Sequence, residues 1–326
     1  MKKLAIILPV VCLLTVLLVV QGAAADQRTP VLAPAVTRDL KIEATPQRLG
    51  RGEYLVRHVV QWLDCHSSRD YSRFSAPIIP GTEGIGGEDF SGPYGSLHAL
   101  NITPFAIGEW SDYGLYKTLT TGLNPDGEQL FPVMPYMMYS QTSQDDIFAI
   151  IAYIRTLKAV ESHPPEPALT VPPEAFTPPP GIGSQLAKSP PSMSDHEAYV
   201  RYMSVLAPCT LCHTPPDATG MPDMTKYFAG GFEWVLPMPS GRRVRSLNLT
   251  PDQQTGIGLW SRERFIRFIQ SFSEESTWMD VGEHGYNTMM PLNSFSGMTH
   301  DDLGTMYDYL RTLPPMHSEI EEYPPD

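Results

Sequence analysis

Two stretches of the chain, residues 134–157 and 290–313, can be written over one another without a gap. They read MPYMMYSQTSQDDIFAIIAYIRTL and MPLNSFSGMTHDDLGTMYDYLRTL. Both begin with Met-Pro, contain Asp-Asp and end with Arg-Thr-Leu. In each stretch apolar residues recur at helical spacing, which predicts an amphipathic helix. A chain with such a repeat is expected to build the same local structure twice.

Each copy starts its helix with a pair of residues that resembles a capping box, Ser143 with Asp146 and Thr299 with Asp302. These pairs predict the N-termini of the two helices. The apolar faces predicted to be buried are Ile147, Ile150, Ile151 and Ile154 in the first copy, and Leu303, Met306, Tyr307 and Leu310 in the second.

The repeat extends backwards along the chain. Asn-x-Thr-Pro begins at Asn101 and at Asn248, each 36 residues beyond a cysteine, Cys65 or Cys212. A Trp-Ser pair then opens a helix-like run in each copy, with serine as the expected N-cap. These pairs are Trp110-Ser111 and Trp260-Ser261. Because Cys-His, Asn-x-Thr-Pro, Trp-Ser, Met-Pro and the closing helix recur in one order, we interpret the chain as a duplication.

The segment between the copies, residues 162–194, contains ten prolines. This composition excludes a helix and predicts an extended, semi-rigid connector. We therefore expect an all-α fold of two tandem helical domains, residues 26–161 and 195–326, joined by this Pro-rich linker.

The first 25 residues are typical of a targeting segment. Two lysines precede an apolar run over residues 4–20, and the alanines at 23–25 resemble a small-residue cleavage site. The run is also at the short limit for a membrane span. A cleaved signal peptide is favoured, with an uncleaved N-terminal anchor as the alternative. In both cases the rest of the chain is expected to leave the cytoplasm.

The chain has a formal net charge of −13, and cleavage of the leader would remove two lysines. Such a charge disfavours nucleic acid or anionic lipid as a partner. It favours a basic docking surface on a partner, although solubility alone accounts for it equally well. One of the four cysteines, Cys12, lies in the leader, and the other three do not form a natural disulfide framework.

An intact C-x-x-C-H motif occurs in the run LAPCTLCHTPPD, formed by Cys209, Cys212 and His213. Two thiols on one helical turn can add to the two vinyl groups of one porphyrin, and the adjacent imidazole then faces the iron. A redox dithiol or half of a zinc site lacks support, because there is no second cysteine pair and the following histidine is the haem-specific element. The motif predicts covalently attached haem.

The first copy carries only part of this motif. In QWLDCH, Trp62 stands where the first cysteine would be, and Cys65 and His66 follow. Chance is excluded because the pair lies at the position that the repeat predicts. A first domain without haem is one interpretation. We favour a haem held by a single thioether at Cys65, because loss of the haem would leave a destabilising cavity in the domain core.

These motifs together resemble the di-haem class I cytochrome c proteins of bacterial periplasms. The likeness covers nearly the whole chain beyond the leader, and GIGLWS and FPVMPY are typical of the cytochromes that accompany alcohol and aldehyde dehydrogenases. The resemblance implies two cytochrome c-like domains, each a small helical bundle around one haem. It also implies a periplasmic location, with membrane attachment only if the N-terminal segment is uncleaved.

The resemblance further implies the iron ligands. His66 and His213 match the proximal histidine, while Met134 and Met290, each in a Met-Pro before the closing helix, match the sulfur ligand. Only these two methionines align with each other in the repeat. Nearby alternatives are Met137, Met138 and Met289.

A His/Met pair leaves no open position on the iron and raises its reduction potential, so such a centre passes single electrons. The chain is therefore expected to carry electrons from a dehydrogenase to an oxidase or another cytochrome, and not to be an enzyme. A subunit bound permanently to a dehydrogenase is a further possibility. A di-haem peroxidase, which needs an open position, is the enzymatic alternative. Histidines available for such a role are His98, His163, His196, His284 and His300.

Overall fold

The computed structural model describes residues 32–176, 183, 186–217, 222–282 and 285–325. The predicted leader and His284 lie outside the described residues. The chain from Leu32 onward forms one compact unit. In the described ranges, no helix combines the length and the apolar character that a bilayer crossing requires.

The first repeat begins with helix α1, Pro46–Tyr54, which Thr45 caps by accepting a hydrogen bond from the backbone N–H of Arg48. The helix continues as a wider turn over Leu55–Val59. The later helices of this repeat are α2 (Trp62–His66), α3 (Pro104–Ile107), α4 (Asp112–Thr121), α5 (Tyr136–Tyr139) and α6 (Gln144–Ile154).

The second repeat follows the same order of elements, without a helix corresponding to α3 in its described residues. Its helices are α7 (His196–Leu206), α8 (Cys209–His213), α9 (Arg262–Gln270), α10 (Leu292–Phe295) and α11 (His300–Thr312). Short 3₁₀ turns lie at Pro173–Phe176, Met224–Lys226, Ser271–Ser273 and Glu275–Thr277.

The N-caps expected from the sequence are confirmed. Ser143 and Thr299 accept hydrogen bonds from the backbone N–H groups of Asp146 and Asp302, at the starts of α6 and α11. Ser111 caps α4 and Ser261 caps α9 in the same way. The two predicted apolar faces are also buried.

The expectation of an all-α fold is wrong, because the chain also contains antiparallel strands. Strand β1 (Gly95–Ser96) pairs with β2 (Ala168–Leu169), and β3 (Glu233–Val235) pairs with β4 (Arg243–Arg245). At β1 a Cβ on Gly95 would lie 2.2 Å from the carbonyl oxygen of Ala168. Glycine therefore permits the close approach of the linker strand.

The two repeats also do not form a clear two-domain layout in the described residues, and the bounds expected for the two domains stay a prediction. One hydrophobic core contains buried side chains from both repeats, among them Leu55, Ile150, Met203 and Leu303. Hydrogen bonds cross between the repeats: the Tyr202 hydroxyl donates to Asp146 at 2.5 Å in the interior, and the partly buried Tyr54 hydroxyl donates to Asp302. The two copies therefore share their interior, which sequence periodicity alone does not reveal.

The described parts of the linker pack on the first repeat. Besides strand β2, the carbonyl oxygen of Leu186 accepts from the Ala33 N–H at 2.9 Å, and the carbonyl oxygen of Ala187 accepts from the Gln144 N–H at 2.8 Å. Leu186 is buried. The linker thus contributes to the core while remaining free of α-helix in its described residues.

Candidate haem-binding sites

The second site is built on the five-residue helix α8, which carries Cys209, Cys212 and His213 on one turn. Both thiols are free. Burial raises the pKa of the Cys209 thiol to about 12 and that of Cys212 to about 11. No disulfide joins the pair, so both sulfur atoms could form thioether bonds to a porphyrin.

The imidazole of His213 is fixed by one hydrogen bond. Its Nδ1 lies 2.7 Å from the carbonyl oxygen of Leu247. A carbonyl only accepts, so Nδ1 carries the proton and Nε2 keeps its lone pair. Burial lowers the pKa of His213, which favours the neutral ring. This tautomer is the one that coordinates a metal through Nε2.

The first site repeats this arrangement. The Nδ1 of His66 lies 2.7 Å from the carbonyl oxygen of Leu100, and burial lowers the pKa of His66. The backbone carbonyl of each histidine accepts an N–H at 2.8 Å, from Gly86 in the first repeat and from Gly230 in the second. The two imidazoles are therefore held by equivalent backbone frames.

The Asn-x-Thr-Pro sequences explain how the carbonyl groups are placed. Asn101, directly after Leu100, accepts from both the backbone N–H and the hydroxyl of Thr103 at 2.8 Å. Asn248 holds Thr250 in the same way, at 2.9 and 2.8 Å. Sequence reasoning recognised the repeated asparagine but missed Leu100 and Leu247, whose side chains carry no signal because only their carbonyl oxygens act.

Trp62 is buried in the core of the first repeat. Its indole N–H donates to the hydroxyl of Tyr139 at 2.6 Å, and its ring centroid lies 6.3 Å from that of His66. The Tyr139 hydroxyl in turn donates to the carbonyl oxygen of Val60 at 3.3 Å. The bulk of the indole fills the position of the missing cysteine, and Cys65 remains as the free thiol of this site.

Met134 and Met290 occupy equivalent positions. Each is partly buried against the main core and precedes a short helix. The carbonyl oxygen of Met134 accepts from the Tyr136 N–H at 2.8 Å, and that of Met290 from the Leu292 N–H at 2.9 Å. Met289, in contrast, packs in a separate small cluster beside the β3–β4 hairpin. Coordination by the two sulfur atoms stays a prediction.

Four of the histidines named above as available for an enzymatic role face carboxylates. Their partners are Asp89 for His98, Glu161 for His163, Asp308 for His196 and Glu263 for His300, at 3.3 to 3.8 Å. Within the described residues, no group of three or more His, Cys, Asp or Glu side chains could hold a metal ion. The residues of the two sites fit haem, since each offers a free thiol and an imidazole with an available Nε2.

Asp64, next to Cys65, is a polar residue that sequence reasoning missed. It is buried, and its Oδ1 accepts from the Ser294 hydroxyl of the second repeat at 2.8 Å. Its Oδ2 has no hydrogen-bond partner among the described residues. Burial raises the pKa of Asp64 to about 6. The first site is thus in direct contact with the second repeat.

Comparison with known proteins agrees with the geometry, although no family model matches the chain. The cytochrome subunit of fructose dehydrogenase from Gluconobacter japonicus is 30% identical over 74% of this chain and 49% of its own length. A diheme cytochrome c-type protein of Cereibacter sphaeroides is 28% identical, over 77% of this chain and 81% of its own. The resemblance to di-haem cytochrome c proteins is confirmed.

A third relative extends the comparison. The cytochrome c subunit of the quinone-dependent alcohol dehydrogenase of Gluconobacter oxydans (strain 621H) is 27% identical over 83% of this chain and 56% of its own length. The chain thus spans about half the length of the dehydrogenase subunits. These cytochrome c relatives imply haem c as the cofactor, and the diheme relative agrees with the two sites of this chain.

Proposed function

We propose that the protein is an exported di-haem c-type cytochrome that passes single electrons between a dehydrogenase and a downstream acceptor. The observation that carries the proposal is the duplicated imidazole frame, in which His66 and His213 each donate from Nδ1 to a backbone carbonyl at 2.7 Å. Each ring therefore presents Nε2 in a fixed direction. Haem bound there would supply one-electron redox chemistry, and the chain would supply orientation and a dry environment.

The second axial ligand of each haem is proposed to be a methionine, Met134 in the first repeat and Met290 in the second. Their equivalent turns and partial burial support this assignment, as does the packing of Met289 in another cluster. Haem held by a neutral thioether and a neutral imidazole would have its reduced iron stabilised and would offer no position to a substrate. This ligand set favours electron transfer over catalysis.

For the first haem we propose attachment through Cys65 alone. Trp62 is packed and hydrogen-bonded in the place of the missing cysteine, so the repeat keeps its core without a second thiol. A mono-haem protein with an empty first domain is the competing possibility. It is disfavoured because the imidazole of His66 is held as firmly as that of His213.

The donor is proposed to be a dehydrogenase, because three relatives are named as cytochrome subunits of fructose, alcohol and gluconate dehydrogenases. The acceptor would be an oxidase or another cytochrome. Export through residues 1–25 would place the protein in the periplasm, free or anchored according to whether that segment is cleaved. A peroxidase is disfavoured, since the four described histidines named above as available for such a role each lie beside a carboxylate.

The test combines intact-protein mass with a pyridine haemochrome spectrum. Mass counts the covalent haems, and the position of the α-band distinguishes one thioether from two. Two haems, one with a single saturated vinyl group, are expected. A mass with one haem and no second chromophore would contradict the proposal for the first site.

Met290→Ala tests the sulfur ligand of the second haem. We expect the oxidised protein to lose the part of its weak far-red absorption that comes from the second haem. The reduction potential of the second haem should also fall, because the thioether ligand is gone. Met289→Ala is the matched control and should keep both. If the band survives in Met290→Ala, the ligand assignment is wrong.

A further inference from the structure

The loop that carries Met290 is held by a segment of the other repeat, residues 71–75. The side chain of Asn287 is fully buried and donates to the carbonyl oxygens of Tyr71 and Arg73 at 2.9 and 3.0 Å. Its own oxygen accepts from the backbone N–H of Ser75 at 2.9 Å. Asn287 thus fastens the chain three residues before Met290 to the first repeat.

Ser75 makes the contact at Met290 itself. Its hydroxyl donates to the carbonyl oxygen of Met290 at 2.8 Å and accepts from the backbone N–H of Leu292 at 2.8 Å. The side chain is fully buried, so water does not replace these bonds. Ser75 is therefore hydrogen-bonded to the backbone on both sides of Pro291.

The backbone of Ser75 shows that this contact is specific. Ser75 has φ of 66° and Ala76 has φ of 43°, a left-handed conformation that residues other than glycine rarely adopt. Such a conformation persists only where the surroundings enforce it. Here it turns the serine hydroxyl towards the Met290 loop.

The Met134 loop is anchored differently. The Met134 N–H donates to the carbonyl oxygen of Phe131 at 3.1 Å, and its carbonyl accepts from Tyr136, both in the first repeat. In the second repeat, the short helix after Met290 makes two more contacts with the first repeat, both through Ser294. The Ser294 hydroxyl donates to Asp64, and the Ser294 carbonyl oxygen lies 2.9 Å from Nδ1 of His58. The two methionine loops therefore differ in what positions them.

We propose that Ser75 is a positioning residue for Met290, so that the sulfur ligation and reduction potential of the second haem depend on a side chain of the first repeat. This inference rests on the proposed function. A neutral thioether binds iron weakly and competes with other ligands, so the loop must hold the sulfur in place. Without the hydroxyl, the backbone at Met290 keeps its bond from the Leu292 N–H but loses its buried bond to the first repeat, and the sulfur is presented less often.

The experiment uses the full-length holoprotein with Ser75→Ala and Ser75→Gly. Both variants remove the hydroxyl, and glycine also tolerates the positive φ, so Ser75→Gly serves if Ser75→Ala folds poorly. Ser72→Ala is the matched control, because Ser72 is exposed on the same segment and its hydroxyl contacts Asp70. Imidazole, which competes with methionine for the iron, is the probe.

We expect imidazole to bind the second haem about tenfold more tightly in both Ser75 variants, from the loss of buried hydrogen bonds. The far-red band should weaken and the potential of this haem should fall, while the first haem and Ser72→Ala match the wild type. Imidazole binding to the two haems should give two steps in the titration. The step that changes in Met290→Ala belongs to the second haem.

Three results would overturn the inference. First, both Ser75 variants could bind imidazole at the second haem as the wild type does and keep its reduction potential. This result would exclude the positioning role of Ser75 but would leave the proposed His/Met ligation intact. Equal changes at both haems would show a general loss of stability. Absence of the far-red band from the wild type would refute the ligand proposal, and the inference with it.

Discussion

Removing the hydroxyl of Tyr202 should measure how strongly the two repeats are joined. This hydroxyl, on helix α7 of the second repeat, donates to Oδ2 of Asp146 on helix α6 of the first at 2.5 Å. It also lies 3.0 Å from the Ser143 hydroxyl that caps α6. Burial and the neighbouring Asp146 raise the pKa of Tyr202, so the hydroxyl stays protonated and donates.

The expected loss of stability in Tyr202→Phe depends on the hydrogen bonds that Asp146 keeps. In Tyr202→Phe, Asp146 keeps its two hydrogen bonds from Arg51, both at 2.9 Å, so the carboxylate is not left as an unpaired buried charge. The loss is one hydrogen bond to a charged acceptor and the longer contacts of the hydroxyl with the N–H and hydroxyl of Ser143. We expect the free energy of unfolding to fall by about 2 kcal/mol. Removal of a whole partner from a buried ion pair would cost roughly 3–5 kcal/mol.

The assay is urea-induced unfolding of the holoprotein followed by circular dichroism. Tyr286→Phe is the control, because Tyr286 is 58% exposed and its substitution should change the unfolding free energy by less than about 0.5 kcal/mol. A change of that small size in Tyr202→Phe would refute the reasoning. Separate unfolding transitions for the two repeats of the wild type would refute it as well.

Three further substitutions test the packing of α1 and the first haem site. Gly52→Ala should lower the unfolding free energy by about 1–3 kcal/mol in the same urea assay, because its Cβ would lie 2.0 Å from the carbonyl oxygen of Ala149. Gly50→Ala is the control, because Gly50 lies on the same helix with open space around it, and it should raise the unfolding free energy by up to about 1 kcal/mol. Equal effects of the two substitutions would contradict this account. Trp62→Cys should move the pyridine haemochrome α-band of the first haem to that of a doubly attached haem. An unchanged band would contradict the account that Trp62 stands where the missing cysteine would reach the porphyrin.

Local chemistry was readable from the sequence. The helix starts at Ser143 and Thr299 are set by side chains that bond to the N–H three residues later, and such caps depend on neighbours along the chain alone. The C-x-x-C-H motif likewise places two thiols and an imidazole on one turn, whatever surrounds it. The resemblance drawn from these motifs is confirmed by the cytochrome c relatives.

The strands and the shared core were not readable in the same way. β1 and β2 are two residues each, too short for an alternating pattern, and they pair because Gly95 lets the distant linker approach. Periodicity marks a buried face but does not identify what covers it. A clear two-domain layout is absent from the described residues because part of each repeat is covered by the other.

The sequence by itself determined that this protein has two copies of one unit, with a complete haem motif in the second and an altered one in the first. These are properties of residue type and spacing. Only the tertiary structure decided which carbonyl holds each imidazole and that Ser75 reaches the Met290 loop. Those contacts join backbone atoms and side chains up to 215 residues apart, and a backbone carbonyl has the same chemistry in every residue.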